Sequence, residues 1–164
     1  MARRYLLAGI LSGAVVVLDQ ATKAEVREVF PLWSSRPMIE GFFNLVHVAN
    51  KGAAFGFLNR EDIGWQNGLF IAVTLLAAMV IFLLLRGATD RERLYAAGLG
   101  LVLGGAVGNV IDRLRFGYVV DFLDFHYGDY HWPAFNVADM AICIGAGLII
   151  LSVLTSRRHA PHSH

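Results

Sequence analysis

Apolar positions along the chain gather into four long uncharged blocks, at 5–18, 69–85, 94–111 and 134–154, and the polar positions collect between them. Only Asn136 and Asp139 interrupt the last block. A helix needs about 20 residues to cross a bilayer, so the blocks predict four transmembrane helices over about 5–23, 69–86, 94–112 and 134–155. The first reaches that length only if the helix continues through Asp19 to Lys23. The third carries Gly98, Gly100, Gly104, Gly105 and Gly108. Small residues four apart let helices approach closely in lipid, which makes this span the central one. The opening "MARRYLLAGILSG" also suits a secretory signal, but Asp19 and Gln20 stand where a small-residue cleavage site belongs.

Between the first two spans, the outer loop 24–68 is too long to be structureless in a compact protein. The stretch "ATKAEVREVF" continues or follows the first helix, and Pro31 and Pro37 break the chain after it. "GFFNLVHVAN", at 41–50, mixes aromatic and β-branched residues and predicts a strand, with "NKGAAFGFL" as its turn and return. The segment before the fourth span holds Phe122, Phe125, Tyr127, Tyr130, Trp132 and Phe135, and reads as an aromatic loop at a headgroup boundary. The expected fold is an all-α membrane protein, with four transmembrane helices and a small extracytoplasmic β-sheet. It forms a single domain over 1–158, followed by a flexible tail at 159–164.

Composition agrees, since 56% hydrophobic against 16% charged residues exceeds the roughly 45–50% apolar content of soluble domains. A net charge of +1 gives no reason to expect a nucleic-acid partner. Cys143 is the only cysteine, which excludes a disulfide framework and zinc-ligand spacing. The 14 lysines and arginines divide evenly between the two sides. Arg3, Arg4, Arg86, Arg91, Arg93, Arg157 and Arg158 are nevertheless concentrated in the tails and one short loop, which places both termini in the cytoplasm.

Carboxylates in such a chain require a reason, because a charge at mid-membrane costs about 2.5–3.5 kcal/mol on insertion scales. Asp19 and Lys23 are four apart and fit an ion pair on one helix face. Asn109 with Asp112, and Asn136 with Asp139, are each three apart, and Arg113 adjoins Asp112. Asp139 suits a functional site, an ion pair with Arg113 or Lys23, or a carboxylate at a helix N-terminus. Asp121 suits a site or a solvated loop carboxylate. If the two meet, one keeps a proton near neutral pH while the other remains a base. Such a pair can activate water against an amide carbonyl, with no metal, cofactor or covalent intermediate. The sequence has no Gly-x-Ser-x-Gly, His-Glu-x-x-His or P-loop pattern, and His47, His126 and His131 are scattered.

"LDQATK" (18–23), "NKGAAFGFL" (50–58), "GGAVGNVIDRLRFGYVVDF" (104–122) and "FNVAD" (135–139) together resemble the bacterial lipoprotein signal peptidases, or signal peptidase II. The resemblance covers essentially the whole chain. It implies an aspartic protease of the bacterial inner membrane that removes the signal peptide from diacylglyceryl-modified prolipoproteins, cutting before the lipidated cysteine. It implies a catalytic dyad of Asp121 and Asp139. Asn50, Gly52, Asn109, Arg113 and Asn136 would bind substrate or support the site, with Asp19, Lys23 and Asp112 structural. Membrane lipid and cyclic-peptide inhibitors of the globomycin type are further implied partners. Lys51 departs from the threonine common at its place in the motif. Two other classes compete with an enzyme. A small ion- or proton-coupled carrier predicts polar groups at mid-membrane and often an internal repeat, and an assembly factor would dock through the glycine-rich span and outer sheet.

Overall fold

The computed structural model describes residues 2–52 and 65–157. Among these, four helices are long and apolar enough to cross a membrane: α1 (Arg3–Val29), α2 (Gln66–Gly87), α3 (Arg93–Phe116) and α4 (Val137–Arg157). The first runs beyond its expected end at Lys23 and carries "ATKAEVREV" as continuous helix. Its buried residues Ala8, Val15, Asp19, Lys23 and Val26 form one stripe at helical spacing. Leu6, Ile10, Val17 and Leu18 are exposed, as befits a surface facing lipid.

The third helix is the hub, and its glycines divide between two neighbours. A Cβ at Gly100 would lie 2.7 Å from Ala8 Cα, and one at Gly104 2.8 Å from Ser12 O, so this stripe seats α1. A Cβ at Gly98 would lie 2.7 Å from Gly145 O, so the other stripe seats α4. Close backbone approach replaces the hydrophobic driving force that is missing between helices in lipid. Gly117, at φ 81°, caps α3 in the left-handed conformation and turns the chain into the sheet.

That sheet is larger than expected. Strands β1 (Ser35–Ile39), β2 (Phe43–Asn50), β3 (Val119–Tyr127) and β4 (Tyr130–His131) form one antiparallel sheet in the order β1-β2-β3-β4. The strand expected at 41–50 is present, but its neighbours are β1 and β3. The return expected from "NKGAAFGFL" falls mostly on 53–64, outside the described residues, as does the tail 159–164. Most of the segment read as an aromatic loop is strand, in β3 and the short β4, and the pairing of β3 with β2 places Val48 opposite Asp121 and Asn50 opposite Val119. Asp121 is therefore fixed in a sheet and is no solvated loop carboxylate. Pro37 lies in β1, an edge strand, where a missing N–H is tolerated.

Candidate active site

Lys23 organises the polar residues between the helices. Its Nζ donates to Asp19 Oδ2 at 2.9 Å, Asp112 Oδ2 at 2.8 Å and Asn109 Oδ1 at 2.9 Å, so all three ammonium protons have acceptors. Asp19, Lys23 and Asp112 are all buried, at 0%, 2% and 1% exposure, which makes this a desolvated ion cluster. Gln20 Nε2 closes it by donating to Asp112 Oδ1 at 2.9 Å. Each carboxylate has an oxygen that also accepts from backbone elsewhere. Asp19 Oδ1 accepts the N–H of Ala138 at 2.9 Å, at the positive end of α4. Asp112 Oδ2 accepts the N–H of Val120 at 3.1 Å, at the start of β3. The two amides belong to the residues immediately before Asp139 and Asp121, so one cluster fixes the backbone beneath both.

Asn136 links those two aspartates directly. Its Nδ2 donates to Asp121 Oδ1 at 2.7 Å, and its backbone N–H donates to Asp139 Oδ2 at 3.2 Å. In return, Asp139 N–H donates to Asn136 Oδ1 at 3.0 Å, a reciprocal pairing of the capping-box kind at the start of α4. Asn136 thus precedes the fourth helix, although the sequence pattern put it within the span. Asn50 Nδ2 donates to Asp121 Oδ2 at 2.9 Å, and Asn109 Nδ2 donates to Asp139 Oδ1 at 2.8 Å. Asn109 also accepts from Lys23, so the ion cluster and the aspartate pair share one asparagine.

Asp121 is buried and Asp139 half-buried. Burial, and then the negative charge of Asp139, push the Asp121 carboxyl up to about 7 from an ordinary 3.8, against the opposing pull of Asn50, Asn136 and Lys23. A carboxyl that keeps its proton to neutrality beside a second carboxylate can serve as acid and base on one substrate.

Arg113 goes elsewhere. Its Nη2 donates to Gly52 O at 2.8 Å, and its guanidinium lies 4.5 Å from the centre of the Phe70 ring, joining the end of β2 to α2. Gly52 N–H donates to Asn50 Oδ1 at 2.9 Å, which orients the amide that holds Asp121. All ten singled-out residues therefore belong to one connected region. The histidines stand outside it: His47 Nδ1 lies 2.8 Å from Phe30 O, and His131 Nδ1 lies 2.9 Å from Asp124 Oδ1. Sequence reasoning missed Gln20 and the strand character of 119–127. The second was signalled by a β-branched and aromatic run between Gly117 and Gly128.

The family profile described as Signal peptidase (SPase) II matches residues 11–155. The chain is 58% identical over 149 residues to a lipoprotein signal peptidase of Maridesulfovibrio salexigens, covering 91% of this chain and 96% of that one. It is 49% identical over 153 residues to a lipoprotein signal peptidase of Oleidesulfovibrio alaskensis, covering 93% and 97%. A bacterial membrane enzyme solved by the in meso method superposes with a TM-score of 0.81 at 28% identity, covering 96% of this chain and 93% of that one.

Proposed function

The chain belongs to the signal peptidase II family, and from that premise we propose that it cleaves diacylglyceryl-modified prolipoproteins before the lipidated cysteine, with Asp121 and Asp139 activating the attacking water. Family membership makes it an aspartic-type peptidase of the membrane and sets aside the carrier and assembly-factor readings. The observation that carries the dyad is Asn136, which donates to both carboxylates and so holds them to one site.

In this reading Asp139 takes the proton of a water that attacks the scissile carbonyl. Asp121, protonated near neutrality, donates to the carbonyl oxygen. The tetrahedral intermediate collapses when Asp139 passes that proton to the amide nitrogen, which leaves as the amine, while a hydroxyl of the intermediate returns its proton to Asp121. Asn50, Asn109 and Asn136 hold the carboxylates, while Gly52 and Arg113 line the approach from β2. The wider reading puts both termini in the cytoplasm and the site near the outer face of the inner membrane. It also makes the protein a target of globomycin-type cyclic peptides.

The test compares one prolipoprotein before and after diacylglyceryl transfer, in micelles with purified protein. Only the lipidated form is cleaved if the reading holds, and equal cleavage of both refutes its specificity. The rate also depends on pH. As pH rises through about 7, Asp121 loses the proton it donates, so kcat/KM has an alkaline limb there. Stability moves the same way over a lower range. Between 3.8 and about 7 the folded chain binds more protons at Asp121 than the unfolded chain, so stability falls with rising pH and then levels off. Rates measured across the neutral range check the limb, and a flat profile contradicts it.

A further inference from the structure

The end of the bundle opposite the aspartates carries a different chemistry. There Ile81 and Leu85 of α2 pack in one cluster with Ala8 of α1 and with Ala96 and Leu99 of α3, so the three helices meet. Arg3, Arg4, Arg86, Arg91 and Arg93 stand at the helix ends and in the connection around that cluster, and all but Arg4 are exposed.

Two carboxylates fall among them, and both are occupied. Asp90 Oδ1 accepts the backbone N–H of Arg4 at 3.2 Å and lies 3.6 Å from Arg4 Nη1, which fastens the connection between α2 and α3 to the start of α1. Glu92 Oε2 accepts the N–H of Thr89 at 2.6 Å and closes the turn before α3. Among the described residues, no carboxylate forms an ion pair with Arg3, Arg86, Arg91 or Arg93. These guanidinium groups therefore lack an internal counter-charge.

Apolar surface adjoins them. Arg86 follows Phe82 and Leu83 by four and three residues on the same helix, and each of those side chains is 54% exposed. Arg3 precedes Leu6, 53% exposed, by three. Because these are the ends of membrane-spanning helices, the guanidinium groups reach headgroup level while the apolar side chains below them meet lipid tails. A soluble anion would use the arginines alone, whereas a phospholipid uses both.

We infer that this end of the bundle binds an anionic phospholipid, its phosphate held among Arg3, Arg86, Arg91 and Arg93 and its acyl chains lying against Leu6, Phe82 and Leu83. The forked N–H groups of guanidinium match phosphate oxygens. The headgroup supplies the missing counter-charge without drawing the acyl chains out of the bilayer. Asp90 already ties the connection to α1, so a lipid across these arginines braces three helices together and stabilises the folded bundle.

Thermal midpoints of the full-length protein in micelles of an uncharged detergent test this, with phosphatidylglycerol, phosphatidylcholine of the same chains, or inorganic phosphate added. Phosphatidylglycerol at a hundredfold excess over its Kd raises the midpoint by about 5–10 °C, while the other two leave it unchanged. Arg86→Gln, Arg91→Gln and Arg93→Gln combined raise the phosphatidylglycerol concentration needed for the same shift about a hundredfold, since each arginine near a headgroup is worth roughly fivefold in affinity. Arg91→Gln alone, in the exposed connection, raises it about fivefold and serves as the variant if the triple change impairs folding. An equal response to phosphatidylcholine means that acyl chains alone stabilise the bundle, and a response to inorganic phosphate means a site for free anions. An undiminished response in the variants places the lipid elsewhere. Each of these results overturns the inference, as does the absence of any response to phosphatidylglycerol.

Discussion

Replacing Lys23 with methionine should cost the fold about 3–5 kcal/mol, the usual loss when one partner of a buried ion pair is removed. Methionine nearly matches the length of the lysine stem, so the loss is one of charge and not of volume. Asp19 and Asp112 would be left facing each other at 0% and 1% exposure with no cation between them. Asn109 Oδ1 would lose its donor, and the amide that holds Asp139 would be free to turn. The damage therefore extends from stability to the site. Thermal unfolding in micelles should show a midpoint lower by about 10 °C. Adding Asp112→Asn to Lys23→Met should recover part of the loss, because it removes one of the opposed charges. An unchanged midpoint in the single variant would mean that the cluster carries little stability.

The helices and the polar constellation were legible because both oppose the default of a greasy chain. Carboxylates and amides at 19, 109, 112, 136 and 139 are costly in apolar blocks and therefore conspicuous, and the glycines of the third block announce close helix contact. The sheet was mostly hidden. β1 is exposed along its length and contains Pro37, which reads as a chain break. β3 holds two aspartates among aromatics and imitates an interfacial loop until β2, some seventy residues earlier, is set beside it. Equally non-local are the hold of Asp19 on Ala138 and of Asp112 on Val120, which were hidden for the same reason. Spacing along one helix predicted the Asp19–Lys23 pair, but no spacing rule reaches across strands and helices.

Asp121→Asn and Asp139→Asn should each lower turnover on the order of a thousandfold, within the range ascribed to a positioned general acid or base. Asparagine has nearly the shape of aspartate but can neither take the water's proton nor supply one. The two losses should not multiply, since groups that act as a unit are already disabled by the first change. Folding should be little affected. At 121 the new amide would oppose a donor from Asn50 or Asn136, and at 139 one from Asn109 or the Asn136 backbone, at a cost of roughly 1 kcal/mol. Against that, burial no longer penalises a charge at 121. The most direct measurement is turnover of a lipidated prolipoprotein by the wild type, both single variants and the double variant, each with a thermal midpoint within a few degrees of the others. The account predicts the same deep loss in all three variants. Near-normal turnover in either single variant, or unfolding of Asp139→Asn, would make that carboxylate structural and contradict the dyad.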